Sequence, residues 1–332
     1  MKKILSLLLA LALIVTCFAA CGGNESTNED ETGATPNATA MTMGTGGSGG
    51  TYYAYGGVLG THLKNKTGIS VNVVTTDGSK ANILGIQAGS YQLATVQSDV
   101  MAYAWNGTSV FEADGAVDSF RVIGGLYAEA IQLITIDPEI KTVADLKGKK
   151  VSIGAPGSGV YFNAVDVLAA AGMTVEDIDP QYQSFNDSAD NLKDGKIDAA
   201  FVVAGAPTPA ITELSKTKTA YLIPIDGDVA AKLMESSPYY TEYKIPAGTY
   251  DKQEADVTTV TVKATLIVSA SATEEDVYNI TKAIFDDIDT IKAAHAKGEE
   301  LSLENATAGM TAPFHAGAAK YFAEKGITVE TK

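Results

Sequence analysis

"MTMGTGGSGGTYY", Met41 to Tyr53, is the stretch on which the fold turns. It reads as a short strand, a glycine-rich turn and a helix start, and it fits two chemistry-bearing patterns at once. Gly44, Gly46 and Gly49 have the spacing of a G-x-G-x-x-G dinucleotide loop, and Gly46, Ser48 and Gly50 that of a G-x-S-x-G nucleophile elbow. "IGAPGSGVYF", Ile153 to Phe162, has the same build: strand, Gly-Ser-Gly, then a helix led by an aromatic. The echo continues downstream, where "QAGSYQLATVQS" aligns with "KDGKIDAAFVVAG", Gly89 facing Gly195 and Ala94 facing Ala200. Either all βα units share this look, or the chain holds two similar halves, each presenting a glycine-rich helix start to a common cleft.

Outward from that loop, strand and helix patterns alternate, which is the signature of α/β architecture. Strands are expected at "ATAMTM", "ISVNVVT", "YQLATVQ", "FRVIGGLY", "AIQLITI", "KVSIG", "PQYQSF" and "IDAAFVV", and most strongly at the β-branched run "VTTVTVKATLIV". Helices are expected from Thr51 to Lys66 before Gly68, over "SKANILGIQAG", "SDVMAYAW" and "TVADLKG", and from Ser158 to Ala171. A last helix opens at Ser271 or Thr273, with Glu274, Glu275 and Asp276 where the dipole favours anions, and is expected to run to His295.

Residues 1–20 read as a secretory signal, with Lys2 and Lys3 before an apolar run from Ile4 to Val15. Cys21, behind Ala19 and Ala20, resembles the lipidated cysteine of a bacterial lipobox, and Cys17 is the weaker rival. Residues 21–40 are polar and acidic, a flexible tether from a lipid anchor to the folded body. Localisation is therefore expected to be extracytoplasmic, with the membrane reached through the N-terminal lipid only. With no cysteine beyond Cys21, disulfides, thiolate chemistry and Cys-bound metals are excluded from the body. A net charge of −16 argues against nucleic acid or anionic lipid as a partner. No His/Asp/Glu cluster has metal-ligand spacing, and no cofactor is expected.

A helix N-terminus carries unpaired N–H groups and about half a positive charge, and glycines before it let the backbone approach a ligand. The loop thus suits an anion in any fold. Arg121 is the sole arginine and starts a strand, so carboxylate recognition falls to backbone N–H groups and to hydroxyls such as those of Ser48, Thr51, Tyr52, Ser79 and Ser158. A dinucleotide site, with Asp77 on the ribose, is disfavoured by the export signal. A hydrolase using Ser48 needs a base from His62, on the polar face of its helix, from His295, expected to be solvated, or from His315. Gln97 and Ser98 lie where open sheets place ligands; Asp99 is either a cap or a ligand contact. Tyr127 is expected to line the cleft, and Gly205 to Pro207 to form its edge.

Together "GTGGSGGTYY", "TTDGSKANILGIQAG", "VQSDV", "VADLKGKKVSIGAPGSG", "LKDGKIDAAFVVAGAP" and "PYYTEYKIPAGTY" resemble the TAXI family of solute receptors that serve TRAP transporters. The resemblance runs from Met41 to Gly326. It implies a type II periplasmic-binding-protein fold, two α/β lobes with a ligand cleft between them and no catalysis. Lobe one is expected over 41–126 plus 270–332 and lobe two over 127–269. It further implies a monomer that binds a small acidic solute, such as glutamate, glutamine or a related carboxylate, and hands it to the TRAP permease. Carried over, the binding positions are Gly47, Ser48, Thr51, Tyr52, Ser79, Asn82, Gln97, Ser98, Gly157 and Ser158. Lys80 departs from the family pattern within "GSKANI", and is expected to point to solvent rather than into the cleft. A receptor for an ABC importer or a sensor is the alternative, and an exported serine hydrolase the remote one.

Overall fold

In the computed structural model, which describes residues 37–332, ten strands form one curled sheet. The leader, Cys21 and nearly all of the tether lie outside the described residues. The strands are β1 Ala40–Gly44, β2 Ser70–Val74, β3 Leu93–Gln97, β4 Phe120–Thr135, β5 Lys150–Ser152, β6 Asp179–Gln181, β7 Ala199–Ala204, β8 Tyr221–Ile223, β9 Thr241–Ile245 and β10 Val257–Ser269. The helices that matter here are α1 Thr51–Thr67, α2 Ser79–Gln87, α3 Ser98–Asn106, α4 Gly159–Ala170, α5 Phe185–Lys193, α6 Pro209–Thr217 and α7 Gly227–Ser236. After β10 come α8 Glu274–Asp286, α9 Ile288–Ala294, α10 Leu303–Thr307 and α11 Ala316–Glu324.

The main strand path is β2-β1-β3-β10-β4-β7-β5-β6, with β8 on β4 and β9 on β10. Folded at its midpoint, that path matches itself. β1 lies parallel between β2 and β3, and β3 pairs antiparallel with β10. β5 lies parallel between β6 and β7, and β7 pairs antiparallel with β4. The echoed residues occupy equivalent places: Ala94 is matched with Gly44 and Ile267, Ala200 with Ser152 and Ile134. Gly89 and Gly195 both take positive φ, 74° and 69°, which suits glycine.

Burial divides the body into two halves. One core gathers side chains from Met41 to Tyr127 and again from Ala264 to Phe322. The second, with a smaller satellite, draws only on Ile131 to Val262. The change-over falls inside β4 and β10, the two longest strands, which pair along the join.

β4 corrects the sequence reading, which split it into two runs. Its one charged interior residue, Glu129, looks like an interruption but is buried and paired with Val262. The Gly124–Gly125 pair is no turn: a Cβ at Gly124 would lie 3.1 Å from Phe285, and one at Gly125 2.7 Å from the Asn305 carbonyl, so the glycines let α8 and α10 pack on the strand. The last expected helix is likewise two, α8 and α9, because Asp287 leaves helical geometry at φ −131°, ψ 44°. "PQYQSF" does not continue as a strand. Ser184 caps α5 by accepting from the Asp187 N–H at 3.2 Å.

Candidate functional site

The C-terminal ends of β1, β3, β5 and β7 and the helix starts that follow converge on one cleft of about 620 Å³, its open mouth included. Ligand sites of open α/β sheets lie at such strand ends. From the first half come Gly46, Gly47 and Gly50 to Tyr52 at the start of α1, Thr76 to Ser79 at the start of α2, and Gln97. From the second half come Ala155 and Ser158 to Val160 at the start of α4, Gln183 to Phe185 at the start of α5, and Val203 with Ala204. The two Gly-Ser-Gly helix starts thus share one space, as the echo implied.

The halves touch across this cleft. Thr51 Oγ1 donates to the Gly205 carbonyl at 2.7 Å, and the Ala210 N–H to the Gly49 carbonyl at 3.0 Å. Gln97 Nε2 donates to Asn163 Oδ1 at 2.6 Å, and Asn163 Nδ2 to Asp99 at 2.8 Å and to the Tyr240 hydroxyl at 2.9 Å. Tyr240 donates onward to Asp166 at 2.6 Å. Asp99 is therefore neither a plain cap nor a cleft residue; it is a buried carboxylate in a strut between the halves. Burial pushes its carboxyl up to about 6, opposed by the Asn163 bond and helped by nearby Asp166.

Of the expected site residues, Gly47, Thr51, Tyr52, Ser79, Gln97 and Ser158 line the cleft, and the others do not. Ser48 is exposed beside it, accepting from Asn186 Nδ2 at 3.1 Å. Asn82 is fully buried and structural: it donates to the carbonyls of Thr45 and Thr95 and accepts from Thr76. Ser98 accepts from the Lys263 N–H at 3.1 Å, behind the cleft wall. Tyr127 is a core aromatic, edge-on to Tyr55 with centroids 5.0 Å apart. Gly157 serves the turn with φ 82°, and Gly205 contributes its carbonyl to Thr51. Lys80 points neither into the cleft nor freely to solvent: it pairs with Asp114 at 2.7 Å and covers Phe111. His62 is not on a polar face but buried, 2.8 Å from the Ala283 carbonyl. His295 is half-buried, with its ring against Tyr55 and Nδ1 accepting from Lys297 N–H, and His315 is held by Gly317 and Ala272. No histidine therefore stands against Ser48.

Two features give the cleft its chemistry. Ser158 precedes α4 in the cap position yet makes no capping bond, and its buried hydroxyl has no partner, unlike the capping hydroxyls of Ser184 and Thr273. Buried polar groups are almost always satisfied, so an orphan on a residue that lines a cavity is a candidate contact for a ligand. Arg121 stays away, bonded to the carbonyls of Asp118 and Phe120 and laid over Trp105. What faces the cleft from both sides is helix N-termini.

Sequence reasoning missed Glu129, which lines the cleft from β4 while 1% exposed. It accepts from the Tyr52 hydroxyl at 2.7 Å, and burial, then Asp99, hold its carboxyl well above the usual range against the pull of Tyr52 and Lys297. The signal was available: Glu129 is the one charged residue between Gly124 and Ile136.

Comparison with solved structures speaks for the fold. A protein from Bordetella bronchiseptica RB50 superposes with a TM-score of 0.52 at 18% identity, covering 86% of this chain and 89% of its own. The alkanesulfonate-binding protein of Xanthomonas axonopodis pv. citri gives 0.49 at 16%, covering 87% and 92%. A putative L-cystine ABC transporter protein of Listeria monocytogenes gives 0.48 at 17%, covering 77% and 94%. The architecture is the type II periplasmic-binding-protein fold, two lobes with a cleft between them. The family model that matches is described as NMT1-like and spans residues 43–326; the chain belongs to the NMT1-like family.

Proposed function

We propose that this protein is an extracytoplasmic solute receptor that closes over a small carboxylate and delivers it to a membrane importer. The observation that carries the reading is the orphaned Ser158 hydroxyl at a helix start, opposite the glycine-rich start of α1 and within one interlobe cleft. A carboxylate there would accept from backbone N–H groups and from Ser158, and only the closed arrangement offers both walls at once. The expected lobes, 41–126 plus 270–332 and 127–269, are proposed as the moving bodies, and Cys21 as the lipidated anchor. A putative L-cystine ABC transporter protein is among the solved structures named above, and an ABC importer is taken as the first reading of the partner. The TRAP permease, glutamate and glutamine remain what the sequence resemblance implies.

Mass spectrometry of small molecules released from the denatured purified protein tests the reading, followed by thermal melts with the compounds found. A true ligand raises the melting temperature as its concentration passes Kd, without being turned over. Ser158→Ala is expected to weaken that ligand about 2- to 10-fold, the worth of one hydrogen bond. Ser48→Ala is expected to change it less than about twofold, because its hydroxyl faces Asn186. Equal affinity for wild type and Ser158→Ala would remove the proposed anion pole.

A further inference from the structure

The cleft whose helix starts favour an anion also holds a carboxyl group. Glu129 lines it from β4, buried; its Oε2 accepts from the Tyr52 hydroxyl, and its Oε1 has no partner among the described residues. No lysine or arginine of the described residues pairs with it. Lys297, whose charge acts on it from a distance, has its ammonium taken up by Glu300 and the Tyr243 hydroxyl. The other titratable groups around it bring no positive charge: Asp99 from α3, Tyr52 from α1 and Tyr127 from β4 itself, with Glu300 beyond Tyr127. Across from it on β10 stands Val262. An enclosed carboxylate without a counter-charge is costly, and an anion arriving beside it adds a like charge. A neutral carboxyl carries neither cost and has a proton to offer.

We infer that Glu129 is a neutral hydrogen-bond donor to the solute, so that one proton enters the cleft with each anion the lobes close over. The inference rests on the receptor reading above and deepens it. Tyr52 sets the geometry: its hydroxyl donates to Oε2, so the carboxyl proton belongs on Oε1, the oxygen left for the solute. Tyr52 also lies in the first turn of α1, so one residue joins this donor to a helix start that faces the anion. The proton comes from water while the cleft is open, forms an O–H bond at Oε1, and returns to water when the lobes part; no bond of the solute is made or broken. Burial, then the like charge of Asp99, favours the protonated form in the closed protein. In the open form water reaches Glu129 and draws it back toward the ordinary carboxyl range. Between those two values the closed, liganded protein holds a proton that the open one lacks, so affinity rises as pH falls, by up to about 10-fold per unit.

The test uses the purified full-length protein, with L-glutamate as the first probe and the solute recovered by mass spectrometry as the second. Calorimetry at pH 6, 7 and 8, each in two buffers of different ionisation enthalpy, reads affinity and proton uptake together. The expected result is uptake approaching one proton per solute, with affinity tightening by up to about 10-fold for each unit of acidification. Glu129→Gln cannot titrate, and its amide donates as the neutral acid does. It should bind at pH 8 at least as tightly as wild type and lose this uptake, while Asp99 stays in place as the control. Tyr52→Phe removes a donor that favours the ionised form, and should carry the rise in affinity to higher pH. Difference infrared spectra of wild type need no variant: closing on a probe should add the carbonyl band of a protonated carboxylic acid. Wild-type binding independent of pH, together with lost affinity in Glu129→Gln, overturns the inference, since Glu129 would then serve as an ionised acceptor. Binding of either probe with neither proton uptake nor the infrared band also overturns it and leaves the receptor reading standing. A protein that binds neither probe and releases no solute overturns both.

Discussion

Replacing Gly159 by alanine is expected to leave the interlobe cleft open. A Cβ at this position would fall 1.4 Å from Gln97 Oε1, 2.5 Å from its Cδ and 3.0 Å from Val100 Cγ2. Gln97 has little room to move, since Asn163 holds its amide and Ser79 holds its backbone N–H at 3.1 Å. Gly159 begins α4 in the second half, and Gln97 ends β3 in the first, so the clash exists only when the halves meet. Overpacking of this kind costs about 1–3 kcal/mol, which translates into an affinity loss of about 5- to 150-fold. Calorimetry with the native solute and small-angle scattering of the liganded variant check this; unchanged affinity with a liganded scattering profile like wild type would show that the two walls do not close on Gln97.

Asp99→Asn is expected to stabilise the protein at neutral pH and to do so less as the solution is acidified. The folded carboxyl titrates at about 6 against an ordinary 3.8, with burial the leading cause. The group's pKa is raised, so between those values the folded state holds a proton that the unfolded chain lacks. Stability then increases as pH falls from about 7 toward 4, and at neutral pH the ionised Asp99 costs about 3 kcal/mol. Asparagine keeps an oxygen to accept from Asn163 and removes the charge. The difference in unfolding free energy between variant and wild type should therefore shrink from about 3 kcal/mol near pH 7.5 to near zero at pH 4. Taking the difference matters because Asp166 and Glu129 are raised as well and act in both proteins. A difference independent of pH would mean that the folded carboxyl titrates where the unfolded one does, the cost of its burial being offset by its hydrogen bonds.

Much of the fold could be read from local signals. Gly68 ends α1 in left-handed geometry with its N–H on the Lys64 carbonyl, and Thr273 caps α8 by accepting from Asp276. The repeated Gly-Ser-Gly starts located both walls of the cleft. What escaped was tertiary in origin. Strand alternation and helix spacing say that Asn82 and Tyr127 face inward, but not whether inward means cavity or core. Asn82 went to the core because two carbonyls and a threonine hydroxyl satisfy it there. Lys80 found Asp114 and Phe111, partners distant along the chain that the pattern of its own helix does not point to. β8 is a three-residue strand held by its neighbour, and short polar α5 reads as a loop unless its Ser184 cap is weighed first. Glu129 was overlooked for the opposite reason, since a lone charge in an apolar run looked like a boundary.

The way β4 and β10 bracket the second core bears on how the chain assembles. Ile131 to Val262 is one uninterrupted segment, and its strands find their partners within it or on the adjoining ends of β4 and β10. The first half has no such independence: β3 lacks its antiparallel neighbour until Val268 arrives to sit beside Leu93. That pairing closes a loop containing the whole of the other half, an entropic cost that grows slowly with length but delays the contact. A polypeptide delivered from its N-terminus thus carries an unfinished sheet edge at β3 while the later segment is already able to condense. On the proposed route of export this exposed edge, rather than the cleft, is where a holding chaperone would act.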